Sequence, residues 1–201
     1  MWENLPRFLI GVIVGTYWLR VIHLARKIRR SERHSANVIP PGVSGMVTRI
    51  FWFPVVILWI AIPLSSPFVR FSGWALRPLF DSVIVQVAGL IVAIVAFILT
   101  LICWKKMGTS WRMGVDPSEN TVLITTGPYS RIRHPIYALS SLLMLATVVA
   151  LATPLLLLMA VFHLILLQLE ARREEKYLVD THGPAYSEYV NRTGRFLPKF
   201  A

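Results

Sequence analysis

Between Thr125 and Tyr137 the chain reads TTGPYSRIRHPIY, a compact polar stretch caught between two long apolar runs. Gly127 and Pro128 mark a turn, Arg131, Arg133 and His134 crowd cationic or titratable groups together, and Tyr129 and Tyr137 add aromatic faces. Basic residues before a membrane helix ordinarily orient it, and proline opens many helices. That accounts for Arg131, Arg133 and Pro135, but not for a histidine and two tyrosines in the same few residues. Further on, positions 163, 167, 170, 174 and 177 follow helical spacing, so His163, Glu170, Glu174 and Tyr177 share one stripe. An unpaired ionised group at membrane depth is costly, which makes such side chains functional candidates. The structural alternative is a neutral His163 bonded to a carbonyl of a neighbouring helix. For Glu174 and Glu175 it is a solvated face paired with Arg172, Arg173 or Lys176.

Several chemistries are excluded. Cys103 is the single cysteine, so no internal disulfide and no thiolate metal site can form, and His163 and His182 are too isolated for a metal constellation. No GxGxxG follows a strand and no serine nucleophile elbow is present. The net charge of +11 would suggest nucleic acid in a soluble protein, but here the charges sit in blocks beside apolar runs. Anionic lipid headgroups are the fitting partner, not nucleic acid.

The elements that must position these groups are membrane helices. The chain has 201 residues, 55% of them apolar and only 15% charged, with a mean hydropathy of +0.60. It reads as one all-α polytopic membrane domain over residues 1–201, with three transmembrane helices in 1–104 and a helical hairpin and tail in 105–201. About 20 apolar residues cross the hydrocarbon core. On that measure Leu5–Ala25 is the first span, retained rather than removed as a signal, and RKIRRSERH follows it. Ser35–Gly45 is a linker broken by proline and glycine, and Ile50–Ser65 is a second span with a kink expected at Pro54 or Pro63. Phe68–Phe80, rich in aromatics, suits a membrane interface. Ser82–Trp104 is the third span. Ile136–Ala152 and Pro154–Leu169 form the hairpin, and its second helix is expected to continue past the membrane through Tyr177.

This five-span arrangement puts seventeen Lys and Arg residues on one side and three, Arg7, Arg70 and Arg77, on the other. The bias predicts an outer N-terminus and a cytoplasmic C-terminus. It also puts the loop between Lys105 and Pro135 on the same side as the charged end of the last long helix. A ligand with an adenine, a carboxylate, an amine and a positive centre would find a partner there for each part.

GPYSRIRHPIY, then Glu174 and Glu175, then HGPAYSEYVNRTGRFLP together resemble the C-terminal half of the isoprenylcysteine carboxyl methyltransferase family and its phospholipid methyltransferase relatives. The resemblance covers about Lys105–Phe200. It implies an integral-membrane enzyme that uses S-adenosyl-L-methionine, with the cofactor held by Thr121, Val122, Leu123, Ile124, Tyr129, His134, Pro135, Ile136, Tyr137 and Glu174. Main-chain groups of Thr121–Ile124 would meet the adenine edge, His134 would donate to a carboxylate or the base, and Glu174 would bind ribose hydroxyls or the amino group. Tyrosine faces would flank the sulfonium.

The chain departs from the prenylcysteine enzymes one helical turn before the cofactor glutamate. There it has Glu170 where they resemble one another in having arginine, while Arg173 lies roughly 60° away around the axis. Glu170 and Arg173 are therefore the expected catalytic or acceptor-binding pair, and a carboxylate there suits an amine acceptor at least as well as a prenylcysteine carboxylate. The expected reaction is methyl transfer to a lipophilic acceptor or lipid at the cytoplasmic face. Two other readings stand beside it: an NADPH-dependent membrane reductase of the sterol reductase type, and a non-catalytic adaptor whose basic loops bind acidic lipid.

Overall fold

In a computed structural model, residues 4–32, 43–70, 72–112 and 122–199 are described, and they are helical apart from short connecting segments. Helix α1 (Leu5–Glu32) runs beyond the expected first span because the arginines and lysine after Ala25 are good helix formers and Ile28 is buried in the core. Helix α2 (Val43–Ser65) begins earlier than expected and is continuous through Pro54 and Pro63. Residues 35–42 of the expected linker lie outside the described residues, and its last three are the start of α2. Helix α3 (Val83–Met107) follows Ser82 and ends on Lys105 and Lys106. Helix α4 (Pro135–Leu151) has 17 residues and so reaches only about 25 Å. Helix α5 (Pro154–His182) has 29 and reaches about 43 Å.

Among the described residues four helices are thus long and apolar enough to cross a bilayer, and α4 is a shorter apolar one, which makes the chain a polytopic membrane protein. The α4–α5 turn is local chemistry. Ala152 takes a left-handed conformation at φ 39°, the Thr153 hydroxyl caps the Leu156 N–H at 3.2 Å, and Pro154 opens the next helix where no N–H is needed.

Close helix contacts rest on glycine. A Cβ on Gly89 of α3 would stand 2.9 Å from the Ala146 carbonyl of α4, and one on Gly11 of α1 would meet the Leu64 backbone of α2 at 2.7 Å. Between them runs a core of Ile10, Val14, Trp59, Leu143, Met144, Leu156 and Leu167. The Trp59 indole donates to the Thr147 hydroxyl at 2.9 Å inside it.

One end of the bundle is clasped by Arg7, buried at 6% exposure. Its guanidinium donates to the Ala150 carbonyl at 3.1 Å, to Asn4 at 2.9 Å and to Asp81 at 2.9 Å, and Asp81 also accepts from Gln86 at 2.8 Å. The aromatic segment 68–80 is fixed to the same end by Leu79 N–H on the Ala152 carbonyl and Leu155 N–H on the Ala75 carbonyl. Trp74 and Phe68 point outward there, 83% and 79% exposed, as suits an interface.

The opposite end holds the polar segments. After α5, Gly183 at φ 54° lets the chain turn into α6 (Pro184–Arg192), a short helix not expected from the sequence. The strand-like tail beyond it lies along the loop before α4. Arg133 N–H donates to the Gly194 carbonyl at 2.8 Å, His134 N–H to the Arg195 carbonyl at 3.1 Å, and Gly194 N–H to the Arg131 carbonyl at 3.1 Å.

Candidate functional site

Where the loop, α5 and the tail converge lies a cavity of about 160 Å³. The loop reaches it through a tight 3₁₀ turn at Gly127–Ser130, opened by Gly127 at φ 66° and Pro128, which turns the Tyr129 side chain inward. His134 then precedes α4, and Pro135, Ile136 and Tyr137 form its first turn on the cavity wall. Helix α5 contributes Glu174, Tyr177 and Leu178, and α6 contributes Tyr186 and Tyr189.

Glu174 is the meeting point. The Tyr137 hydroxyl donates to one of its carboxylate oxygens, and His134 Nδ1 lies 3.3 Å from the other. The imidazole is stacked on the Tyr137 ring, centroids 5.4 Å apart and planes within 3°. On its other side His134 Nε2 is 3.3 Å from Glu175. Burial alone would pull the pKa of this imidazole down. The hydrogen bonds to Glu174 and Glu175, reinforced by their charges, outweigh that and hold it above the ordinary 6.5.

Glu175 is turned away from solvent, into an ion-pair knot. It accepts from Arg133 Nε at 2.9 Å and from Arg195 Nε at 3.0 Å, and Arg133 also donates to the Thr193 carbonyl. This knot is what fixes the tail against the loop, because the Arg133 guanidinium satisfies Glu175 and the Thr193 carbonyl together while Arg195, itself in the tail, grips both oxygens of Glu175. Burial pushes the Tyr129 and Tyr186 phenols up, so both stay neutral. Their hydroxyls are buried with no partner of their own, and the Tyr189 hydroxyl donates to the Tyr129 carbonyl at 2.6 Å.

Most of the expected cofactor residues come together on this one wall: Val122, Leu123, Ile124, Tyr129, His134, Pro135, Ile136, Tyr137 and Glu174. Thr121 lies outside the described residues. Glu170 and Arg173 do not line the cavity. Glu170 is buried 3.3 Å from Arg49 of α2 and 3.7 Å from Arg173, and Arg173 donates to the Thr48 hydroxyl at 2.9 Å. His163 is wholly buried, with Trp52 Nε1 donating to Nδ1 at 3.2 Å and Ser140 of the neighbouring α4 against Nε2, its Oγ at 3.1 Å.

Sequence reasoning missed Glu175, Arg195, Tyr186, Tyr189 and Trp111. The signal for the two tyrosines was present, since a spacing of three puts them on one helix face. The partners of Glu175 lie 42 and 20 residues away and left no local signal.

Chemically, the wall offers a carboxylate, an imidazole, buried phenols without partners and stacked aromatic faces. That set fits a ligand with a cationic centre, a planar base and hydroxyl or amino groups. Among the described residues no group of three His, Cys, Asp or Glu side chains suited to a metal ion occurs.

Residues 88–180 match the model of the isoprenylcysteine carboxyl methyltransferase family, somewhat under half of the chain. The chain is also 28% identical over 107 residues to the nickel-cobalt-cadmium resistance protein NccN of Alcaligenes xylosoxydans xylosoxydans, a match covering 47% of this chain and 45% of that protein. The aligned part thus spans about half the length of that relative.

Proposed function

Because residues 88–180 match the model of the isoprenylcysteine carboxyl methyltransferase family, we propose that the chain is a membrane methyltransferase using S-adenosylmethionine on a lipophilic acceptor. The observation that carries this reading is the convergence of Tyr137 and His134 on Glu174 at the wall of a 160 Å³ cavity. In it, main-chain groups of Val122–Ile124 would meet the adenine edge. Glu174 binds ribose hydroxyls or the amino group, His134 binds the carboxylate, and the Tyr129 and Tyr137 faces flank the positive centre. When bound, the cofactor supplies an electrophilic methyl group on a sulfonium sulfur.

The residues of the chain then have to orient an acceptor in line and exclude water. Tyr137 does both, since its ring is shared between the cofactor cavity and a smaller cavity beneath it. Glu170 and Arg173 act as positioning residues: their pairing with Arg49 and Thr48 fixes α5 against α2 and so sets where Glu174 stands. The charge bias makes this end of the bundle the cytoplasmic one, so the soluble cofactor enters from the cytoplasm and the acceptor from the bilayer.

The test is titration of the detergent-solubilised chain with S-adenosylhomocysteine and, separately, with NADPH. Wild type is expected to bind the first and not the second, and Glu174→Gln and His134→Ala each to weaken binding more than about tenfold. Unchanged binding in both variants, or NADPH binding instead, overturns the reading.

A further inference from the structure

The outward face of α1 changes chemistry at one point along its length. As far as Leu19 it is apolar, with Leu5, Leu9, Val12 and Leu19 all exposed. From Arg20 onward it is basic. Arg20, His23, Arg26, Lys27 and Arg30 are exposed, and at about 100° per residue they share one arc of about 120°, the same arc that the four apolar side chains occupy. The other side of these turns faces protein: Val21, Ala25 and Ile28 are buried in the core. Helix α1 is thereby held against rolling, and the basic stripe keeps its aim.

A second helix marks the same depth. Helices α1 and α3 both run from the end clasped by Arg7 and Asp81, and the rings of Tyr17 and Trp104 meet with centroids 5.0 Å apart. Arg20 therefore lies level with Lys105 and Lys106, where the exposed apolar face of α3, carrying Leu101 and Ile102, also gives way to exposed cations. The edge of the hydrocarbon is drawn twice. From there the stripe on α1 continues for about 15 Å, through the headgroup layer.

Cations that only orient a span need no common face. These have one, and among the described residues Arg20, Arg26, Lys27 and Arg30 form no ion pair with a carboxylate. We propose that this face of α1 is a binding site for an anionic phospholipid. Its acyl chain lies along Leu9, Val12 and Leu19, and its phosphate sits among Arg20, His23 and Lys27, where a guanidinium fork matches the oxygens. Apolar and cationic halves in one line fit a whole lipid, whereas a free phosphate would use only the second half. The site shares no residue with the cofactor cavity and does not depend on what that cavity holds.

The test titrates the full chain in detergent with phosphatidylglycerol and with phosphatidylcholine of the same chain length, counting bound lipid by native mass spectrometry. Phosphatidylglycerol is expected to bind at least about tenfold more tightly. One basic side chain beside an anionic surface is worth about fivefold, so Arg20→Gln combined with Lys27→Gln should abolish the preference. Glutamine keeps the helix propensity. Arg172→Gln with Lys176→Gln, an exposed pair on α5, should leave the preference intact. Should the first pair fail to fold, Arg26→Gln with Arg30→Gln probes the same stripe and is expected to weaken phosphatidylglycerol at least about fivefold. Equal binding of the two lipids, an unchanged preference in the stripe variants, an equal loss in the α5 pair, or displacement by glycerol phosphate at the lipid's own concentration overturns the site.

Discussion

His134 is held between two carboxylates, 3.3 Å from Glu174 on one side and 3.3 Å from Glu175 on the other, with Arg133 and Arg195 reaching Glu175 from behind. Its pKa is raised in the folded state, so the protonated form is the one the fold prefers. The stabilisation is therefore fully present below about pH 6.5, the unfolded value, and is lost as pH rises through the folded value. Thermal unfolding in detergent should show the melting temperature falling from pH 6 toward pH 9, with the fall reduced in His134→Gln. An equal slope in the variant would assign the pH dependence to another group. Glu174 was legible in the sequence through its place on the helical stripe and in the motif. Glu175 was not, because an adjacent carboxylate on a charged helix looks solvated until its partners in the loop and tail are known.

At the scale of elements, α3 and α4 approach so closely that Gly89 faces the Ala146 carbonyl. A methyl group there has no flexible side chain to displace, only backbone and the Ala150 methyl. Gly89→Ala is expected to destabilise the bundle by about 1–3 kcal/mol, as overpacking does, measured by thermal unfolding. An unchanged midpoint would mean that the helices separate at no cost. The long helices were readable from apolar run length, and the continuation of α5 past its apolar run was expected from helix propensity, but other ends were not: α1 and α2 extend into polar sequence, and α5 runs on from Tyr177 to His182, where helix propensity and tertiary contacts outlast hydrophobicity. Helix α6 was missed because the nine residues of PAYSEYVNR are too few to declare a period. What makes it a helix is the burial of Tyr186 and Tyr189 against the loop.

For the whole molecule, the loop before α4 and the charged end of α5 share one end of the bundle, while Arg7, Asp81 and segment 68–80 share the other. The charge bias is the ground for the proposal that the first of these faces the cytoplasm. Cys103 is buried, so cysteines introduced at exposed positions report alone. In sealed cells Ser72→Cys should react with an impermeant maleimide and Ser187→Cys should not, until the membrane is opened. The reverse pattern would invert the topology.

The Arg7 clasp carries a mechanical implication for how this protein breathes. At that end one side chain is bonded directly to the Ala150 carbonyl and to Asn4 and Asp81, so α1, α4 and the chain before α3 have no freedom to slide. At the other end, cohesion depends on ion pairs among long flexible side chains and a few tail hydrogen bonds. Any widening that admits a guest must therefore splay the helices like a clothes peg, with its spring at the Arg7 end and its jaws at the cavity end.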